Sequence, residues 1–484
     1  MSNLKDRSVI AVLWNSAGGL LMIGISLIFS IILARLLDPA DFGVIAIIMV
    51  VYILSQEIIR FGLETAIIQK DEVSDEEYSI SFFIMFTLST VFALLLYVSS
   101  DWLADFYKAE SLATISKIFC CLYFIDAIMH IQRIKLKKRL DFMRLNIFEI
   151  VAKIIGGVMA VVMALNGFGL MSLVAQNLII AVIQTLCICY YVNWWPSFNI
   201  KLSAITDLFH FGKFVLVSDF VYHISQRFDS LIVGKYFDMN LLGLYDKGKN
   251  LSEMGQRLPA NMMMKPLFTS LSSLQNDTEA LERMMNRIYT SLSFIFIPFL
   301  LFLVFNGEPL IRFVYGEKWV KAAPYFSLFC VLGVFYLIRI PTNYLLLAIG
   351  KVKITFRIEM FVNVLKIITI LLLAPINLVW MIYVLILIRI LEGIIYFIYC
   401  DRHLQFKAKQ YLKIILSYLT LSLALLEIIF YTISQMNILN DFMYIMVYAV
   451  IFSSLYLLLN YILKLEGLQF HWNLAKRYLI KRHA

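Results

Sequence analysis

The feature that most constrains this chain is a succession of long apolar runs separated by short polar segments. Each run has about 20 residues or more, the length at which a helix crosses roughly 30 Å of hydrocarbon. Only helices and closed barrels satisfy their own backbone hydrogen bonds in lipid, and the alternating segments of about 10 residues typical of barrel strands do not occur. Because 61% of the 484 residues are hydrophobic and 15% are charged, the sequence predicts an all-α polytopic membrane protein.

Fourteen of these runs are predicted to span the membrane as helices. The eighth is the least regular, because it contains several polar residues and Pro259, which is a candidate point for a helix break. The first run is too long for the core of a signal peptide, so we expect it to remain as the first span. The predicted spans are 8–34, 43–63, 79–100, 112–131, 147–165, 168–192, 213–234, 241–272, 286–305, 322–347, 354–374, 377–400, 411–434 and 441–463.

The basic residues are distributed unevenly among the segments between these spans. With the N-terminus in the cytoplasm, about 26 Lys and Arg residues fall in inner loops and tails and about 6 in outer ones. The most basic inner loop is 133–144, whereas the inner loop at 71–77 is acidic, and acidic residues contribute little to orientation. We therefore predict that both termini are cytoplasmic. The net charge of +9 follows from this arrangement, and no nucleic-acid partner is expected.

The two halves of the sequence resemble each other at an offset of 200 residues, where Asp38 matches Asp238 and Gly43 matches Gly243. Six spans separate the copies, so both begin on the same side of the membrane. This predicts a parallel repeat with a pseudo-two-fold axis along the membrane normal, an arrangement found in transporters. Further matches are Ser30 with Ser230, Ile32 with Ile232, Arg35 with Lys235 and Gln56 with Gln256, and, at larger offsets, Leu103 with Leu310, Phe106 with Phe313, Arg144 with Arg357 and Lys153 with Lys366.

The predicted organisation is two six-helix lobes and two additional helices. The first lobe covers residues 1–200 and the second covers 201–403. The two C-terminal spans cover 404–463, and a basic cytoplasmic tail covers 464–484.

Several spans contain charged residues, and each such residue costs at least about 2.5–3.5 kcal/mol at bilayer depth. Their basic members suit an anionic diphosphate, because the planar guanidinium group matches phosphate oxygens. The alternative is that these charges pair between helices or reach the interface by extending along the span. The candidate substrate-binding residues are Arg60, Lys153, Arg227, Arg257, Arg339, Lys366 and Arg389. The candidate ion-coupling residues are Glu57, Asp219 and His223.

Motifs for other chemistry do not occur in the sequence. There is no Walker A loop, which argues against ATP as a direct energy source, and no GxSxG or HExxH motif. The six cysteines lack CxxC spacing, and the six histidines are scattered. We therefore predict no catalytic residue, no metal site and no cofactor.

Five segments, which occur in order in both halves, have a recognisable composition: LLDPADFG at 36–43, FGLETAIIQK at 61–70, FDSLIVGKY at 228–236, GLYDKGKNL at 243–251 and GEKWVKAAP at 316–324. They resemble Wzx-type polysaccharide flippases, most closely the colanic-acid and teichuronic-acid exporter branch of the multidrug/oligosaccharidyl-lipid/polysaccharide superfamily. The resemblance extends over nearly the whole chain. The polar and Met-rich stretch at 262–265 departs from the small or apolar residues expected in the eighth span of this family.

The resemblance implies a flippase in the bacterial inner membrane. Its substrate would be an undecaprenyl-diphosphate-linked oligosaccharide repeat unit, moved from the cytoplasmic to the periplasmic leaflet. The lipid bilayer, a polysaccharide polymerase and a chain-length regulator are the partners to expect. Three alternatives remain. A cation-coupled multidrug exporter would need an acidic, aromatic cavity with few arginines. A membrane polymerase or ligase generally needs a large outer loop. A structural scaffold would not need charges at the membrane centre.

Overall fold

The structure, a computed structural model, consists of helices joined by short connections. It describes residues 2–60, 62–198, 206–275, 277–404, 406–435 and 440–481, and their side chains except at 2–17, 206–219, 257–266, 403–404, 434, 474–475 and 477–481. The helices are α1 (Ser2–Leu36), α2 (Pro39–Arg60), α3 (Leu63–Gln69), α4 (Asp75–Tyr107), α5 (Ser111–Lys138), α6 (Phe142–Leu165), α7 (Leu170–Val192), α8 (Thr206–Tyr236), α9 (Met239–Ser273), α10 (Thr278–Phe305), α11 (Gly307–Tyr315), a 3-10 helix (Glu317–Ala322), α12 (Ala323–Ala348), α13 (Val352–Leu373), α14 (Leu378–Leu404), α15 (Ala408–Ser434), α16 (Asp441–Ile462) and α17 (Glu466–Lys481).

Fourteen of the described helices have 22 residues or more, and each coincides with one predicted span. Eleven of them are long and apolar enough to cross a membrane; the other three are α8, α9 and α13. The predicted all-α membrane fold is therefore confirmed. The suggested helix break near Pro259 is wrong, because α9 continues from Met239 to Ser273. Neighbouring groups can satisfy the backbone that a proline leaves unpaired inside a membrane helix.

Local sequence signals fix the ends of several helices. Ser74 and Glu77 form a capping box at the start of α4: Ser74 Oγ accepts from the Glu77 backbone N at 3.2 Å, and the Ser74 backbone N donates to Glu77 Oε2 at 2.9 Å. This arrangement satisfies two backbone donors that the helix itself leaves unpaired. Gly316 ends α11 with a φ of 97°, a conformation that residues with a side chain rarely adopt.

The chain forms two compact units, Met1–Asp246 and Lys247–Ala484. In the first, α4 packs on α5, α6 on α7, and α5 on α7. In the second, α10 packs on α12, α13 on α14, and α12 on α14. Under the predicted repeat, α10, α12, α13 and α14 are the equivalents of α4, α5, α6 and α7. Equivalent pairs of helices therefore pack together in each unit. The predicted lobes, 1–200 and 201–403, and the predicted segments 404–463 and 464–484 stay predictions.

Two glycines in the first unit make a reciprocal backbone contact. A Cβ atom added at Gly43 in α2 would lie 1.9 Å from the carbonyl oxygen of Met239 at the start of α9. One added at Gly243 in α9 would lie 1.8 Å from the carbonyl oxygen of Pro39 at the start of α2. The offset of 200 that relates the two glycines also relates Pro39 to Met239. The contact therefore has the form of a two-fold interface, which supports the predicted repeat.

Candidate functional site

Three of the predicted site residues meet between α2 and α8. Glu57 Oε1 lies 3.4 Å from Arg60 Nη1 and 3.6 Å from His223 Nε2. The Glu57 side chain is 12% exposed, whereas those of His223 and Arg60 are 35% and 37% exposed. Arg227 lies one helical turn beyond His223, is half-buried, and makes no ion pair or hydrogen bond in the part of the chain that the structure describes. We call Glu57, Arg60, His223 and Arg227 the α2–α8 cluster.

The same helix α2 has a second polar face that packs on α5. The Tyr52 hydroxyl is hydrogen-bonded to the Asp126 carboxylate, and His130 Nε2 lies 3.2 Å from Gln56 Oε1. Tyr52 and Gln56 are one turn apart on α2, and Asp126 and His130 are one turn apart on α5. These groups therefore form a polar stripe between two helices, in which each side chain contacts a polar group of the other helix.

Lys153, another predicted substrate-binding residue, lies apart from the α2–α8 cluster. It is on α6, and its Nζ donates to Ser26 Oγ of α1 at 3.2 Å. On the preceding part of α6, Glu149 Oε2 lies 3.5 Å from Arg133 Nη2 of α5. Glu149 therefore has the interhelical ion pair that the alternative interpretation of the buried charges requires.

The acidic segment 71–77 and the basic segment that begins at 133 are close together. Lys135 Nζ lies 3.0 Å from Asp75 Oδ1, and 4.4 Å and 4.2 Å from the ring centres of Tyr78 and Trp194. The prediction that residues from 133 onward form a loop is wrong as far as Lys138, because α5 continues to that residue. Asp75 is thus a counter-charge for the last turns of α5, whereas Glu77 pairs with Lys70.

Glu64 of α3 takes part in the same charge pairing through its contact with Lys137 of α5. Burial raises the pKa of Glu64, but Lys137 together with Arg60 and Arg133 outweighs that effect and holds the pKa below its ordinary value. The ionised carboxylate is therefore the stable form of Glu64 at neutral pH.

In the second unit, three predicted substrate-binding residues meet in one buried network. Arg339 Nη1 of α12 lies 3.2 Å from Glu392 Oε1 of α14 and 3.5 Å from Glu359 Oε1 of α13. Arg389 Nη1 donates to Glu392 Oε2 at 2.6 Å. Lys366 of α13 is as buried as Arg339 and interacts electrostatically with these four charges. We call Arg339, Glu359, Lys366, Arg389 and Glu392 the α12–α14 cluster.

Neutral polar groups complete this cluster. Asn343 Nδ2 donates to Glu359 Oε1 at 2.8 Å and lies 3.3 Å from the Tyr396 hydroxyl. The guanidinium carbons of Arg339 and Arg389 lie 5.6 Å and 5.4 Å from the centre of the Tyr336 ring. Both arginines therefore flank one aromatic ring and share one carboxylate.

Glu359 and Glu392 were not among the predicted site residues, although the sequence contains a signal for both. Glu392 follows Arg389 by three residues, and Lys366 follows Glu359 by seven, spacings that place each pair on one helix face. The predicted site residues Asp219 and Arg257 lie outside the described side chains. Among the side chains that are described, no group of three or more His, Cys, Asp or Glu could hold a metal ion.

Comparisons with known proteins agree with this architecture. A family described as "Polysaccharide biosynthesis protein" matches residues 32–324. The lipopolysaccharide biosynthesis protein WzxC of Escherichia coli (strain K12) is 23% identical over 363 residues, which are 74% of this chain and 73% of that protein. The teichuronic acid biosynthesis protein TuaB of Bacillus subtilis (strain 168) is 24% identical over 306 residues, which are 63% of each chain.

Two solved structures share the fold. The lipid II flippase MurJ in an inward closed conformation superposes with a TM-score of 0.75 at 17% identity, covering 93% of this chain and 98% of MurJ. An inward-facing multidrug resistance MATE family transporter of the MOP superfamily superposes with a TM-score of 0.62 at 14% identity, covering 80% and 95%. The family match covers more than half of the sequence and confirms the resemblance predicted from it. The chain belongs to the polysaccharide biosynthesis protein family and has the fold of the MOP superfamily of transporters.

Proposed function

We propose that this chain is a flippase that moves undecaprenyl-diphosphate-linked oligosaccharide repeat units across the bacterial inner membrane, for the synthesis of O-antigen, capsule or exopolysaccharide. Membership of the polysaccharide biosynthesis family supports this proposal, as do the names of the relatives and the fold shared with a lipid II flippase. The observation that carries it furthest is the α2–α8 cluster, because basic groups there are only partly buried and are not fully neutralised. A drug cation would be repelled by such a surface.

The α2–α8 cluster is proposed to bind the diphosphate of the substrate. Arg60 shares one carboxylate with His223, and its Nε is buried without a hydrogen-bond partner in the described part of the chain. Arg227 supplies a second guanidinium group on the neighbouring helix. Lys153 lies apart on α6, and Lys153 and Arg257 stay candidate substrate-binding residues. The sugar head would enter a polar cavity while the polyprenyl tail stays in lipid, and access would alternate between the two sides of the membrane.

Ion coupling is proposed to act through the carboxylate that Arg60 and His223 share. When a phosphate oxygen binds Arg60, Glu57 loses one of its two basic neighbours and keeps its contact with His223. Substrate binding and the ion that balances Glu57 would then be linked. Asp219, one turn before His223 on α8, is proposed as a second coupling group.

The remaining assignments follow from the same proposal. Translocation requires no covalent step, so we propose a transporter rather than an enzyme. We propose that both termini are cytoplasmic, and the distribution of basic residues supports this orientation. A polysaccharide polymerase and a chain-length regulator are proposed partners, because they would consume the translocated repeat unit.

The test is polymer export normalised to the amount of protein in the membrane. We expect the double variant Arg227→Ala, Arg257→Ala to insert normally and to lose export, and Arg60→Ala to reduce it. Lysine at position 227 should restore export only in part, because it keeps the charge and loses the planar fork. Arg283→Ala is the matched control, because that arginine is exposed and pairs with an exposed Glu279. Normal export by the double variant would exclude the proposed diphosphate site.

A further inference from the structure

The α12–α14 cluster contains more basic groups than carboxylates. It has three basic groups, Arg339, Lys366 and Arg389, and two carboxylates among the described residues, so with Lys366 protonated it carries one excess positive charge. The two arginines use both carboxylates in ion pairs. Within the described part of the chain, Lys366 Nζ donates to Asn363 Oδ1 at 3.4 Å, a neutral oxygen on the same helix.

This excess charge is deeply buried. Whole-residue exposure is 8% for Arg339, 8% for Lys366 and 6% for Arg389. An unpaired charge in such surroundings costs several kcal/mol, and a protein with this arrangement usually supplies a counter-charge. The described residues around the cluster offer no third carboxylate.

Hydrogen-bond donors in the cluster are also unused. Three buried nitrogen atoms have no hydrogen-bond partner within the described residues: Nε and Nη1 of Arg339 and Nε of Arg389. Arg339 Nη1 is nevertheless within ion-pair distance of two carboxylates. Buried donors of this kind are rare unless a ligand or water occupies the space that they face. Charge excess and unused donors therefore occur in the same place.

We propose that the α12–α14 cluster binds one monovalent anion, held by Lys366 and by the unused N–H groups of Arg339 and Arg389. One bound negative charge makes the cluster neutral and accepts the hydrogen bonds that the carboxylates leave unmade. The ligand is a free halide, or a single acidic oxygen of the transported substrate, since both present the same chemistry to the site. With a halide as the ligand, this inference concerns only the charge balance of the protein itself, whereas with the substrate as the ligand it rests on the proposed transport activity.

The experiment is thermal unfolding of the purified full-length protein in detergent, in potassium chloride or bromide and in potassium gluconate at equal ionic strength. A ligand that binds only the folded state raises the midpoint, so we expect an increase of roughly 2 °C or more that saturates with halide concentration. Lys366→Met should lose this increase without a lower midpoint in gluconate, because an unpaired buried charge is removed. Lys366→Arg should keep the increase.

Lys153→Met is the matched control. Lys153 occupies the equivalent position in the predicted repeat but donates to a serine hydroxyl, so its replacement should leave the halide response unchanged. A second arm replaces halide by inorganic pyrophosphate. A response to pyrophosphate alone, lost in Lys366→Met, would assign the site to acidic groups of the substrate.

Bromide diffraction gives a measurement that needs no variant. An anomalous peak within contact distance of Lys366 Nζ is expected in crystals grown in bromide. The proposal is overturned if wild-type protein responds to neither anion, or if Lys366→Met responds as the wild type does. Either outcome would leave the transport proposal untouched, because that proposal is tested by export through Arg60, Arg227 and Arg257.

Discussion

Arg312 Nη1 in α11 lies 3.3 Å from Asp441 Oδ1 at the start of α16. The same guanidinium group bonds Glu308 Oε1 at 2.6 Å and Glu317 Oε2 at 2.8 Å. One arginine thereby joins α11, the 3-10 helix and α16, although α16 begins 129 residues after it in the sequence. The planar guanidinium fork presents N–H donors in several directions, which allows three carboxylates to bind at once.

Replacement of Arg312 should therefore weaken this end of the second unit. Arg312→Ala is expected to lower the free energy of unfolding by about 1–2 kcal/mol, more than an isolated surface pair contributes, because a network of three carboxylates is lost. Arg283→Ala removes a single exposed pair with Glu279 and should change it by less than about 0.5 kcal/mol. The measurement is the midpoint of thermal unfolding. Equal effects of the two variants would contradict the network.

The contact between Glu64 and Lys137 should make stability depend on pH. The pKa of Glu64 in the folded protein is lower than its ordinary value of 4.5, so the stabilisation is present above that value and is lost as pH falls through the lowered pKa. Glu64→Gln should thus be less stable than wild type at pH 7, and the difference should shrink below about pH 4.5. Thermal unfolding across this range measures it. A difference that stays constant with pH would exclude the charge as its cause.

The reciprocal glycine contact should tolerate no side chain. Gly43→Ala and Gly243→Ala are each expected to cost about 1–3 kcal/mol of stability, because the obstructing atom is backbone and cannot rotate away. The double variant should cost less than the sum, since the first substitution already separates α2 from α9. Gly24→Ala in α1 is the control, because no atom lies within 4 Å of the added Cβ. Fully additive effects would argue against a shared contact.

The orientation in the membrane can be tested with alkaline phosphatase fusions, which are active only outside the cytoplasm. A fusion after Asp38, between the first and second spans, should be active. A fusion at the C-terminus should be inactive, because the basic loops favour cytoplasmic termini. The reverse pattern would invert the proposed topology.

The helices could be predicted from the sequence because the thickness of the bilayer imposes their length. The predicted span 147–165 ends at the same residue as α6, and the predicted span 168–192 ends at the same residue as α7. The short helices α3 and α11 were not predicted, because segments of 7 and 9 residues carry too little apolar periodicity to be distinguished from loops.

The site was predictable in its residue types but not in its pairings. Arg339, Lys366 and Arg389 were identified because any charge in a span is costly. That these three residues lie together was not predicted, because the ion pair that links them joins Arg339 to Glu392, 53 residues further along the sequence. Such a pair depends on how α12 packs on α14. The periodicity of a single sequence predicts which face of a helix is apolar, but it does not predict which neighbouring helix that face packs against.

The reciprocal contact of Gly43 and Gly243 has a consequence for ancestry. In this contact, the glycine of each copy packs against the start of the equivalent helix in the other copy. Two identical subunits related by a two-fold axis make contacts of this form. If the predicted repeat arose by gene duplication and fusion, a homodimer of parallel half-length subunits would have made this contact before the fusion. Lys153 faces a serine while Lys366 lies among arginines. Two identical subunits would give this position the same surroundings twice, so under the predicted repeat the difference between Lys153 and Lys366 arose after the fusion.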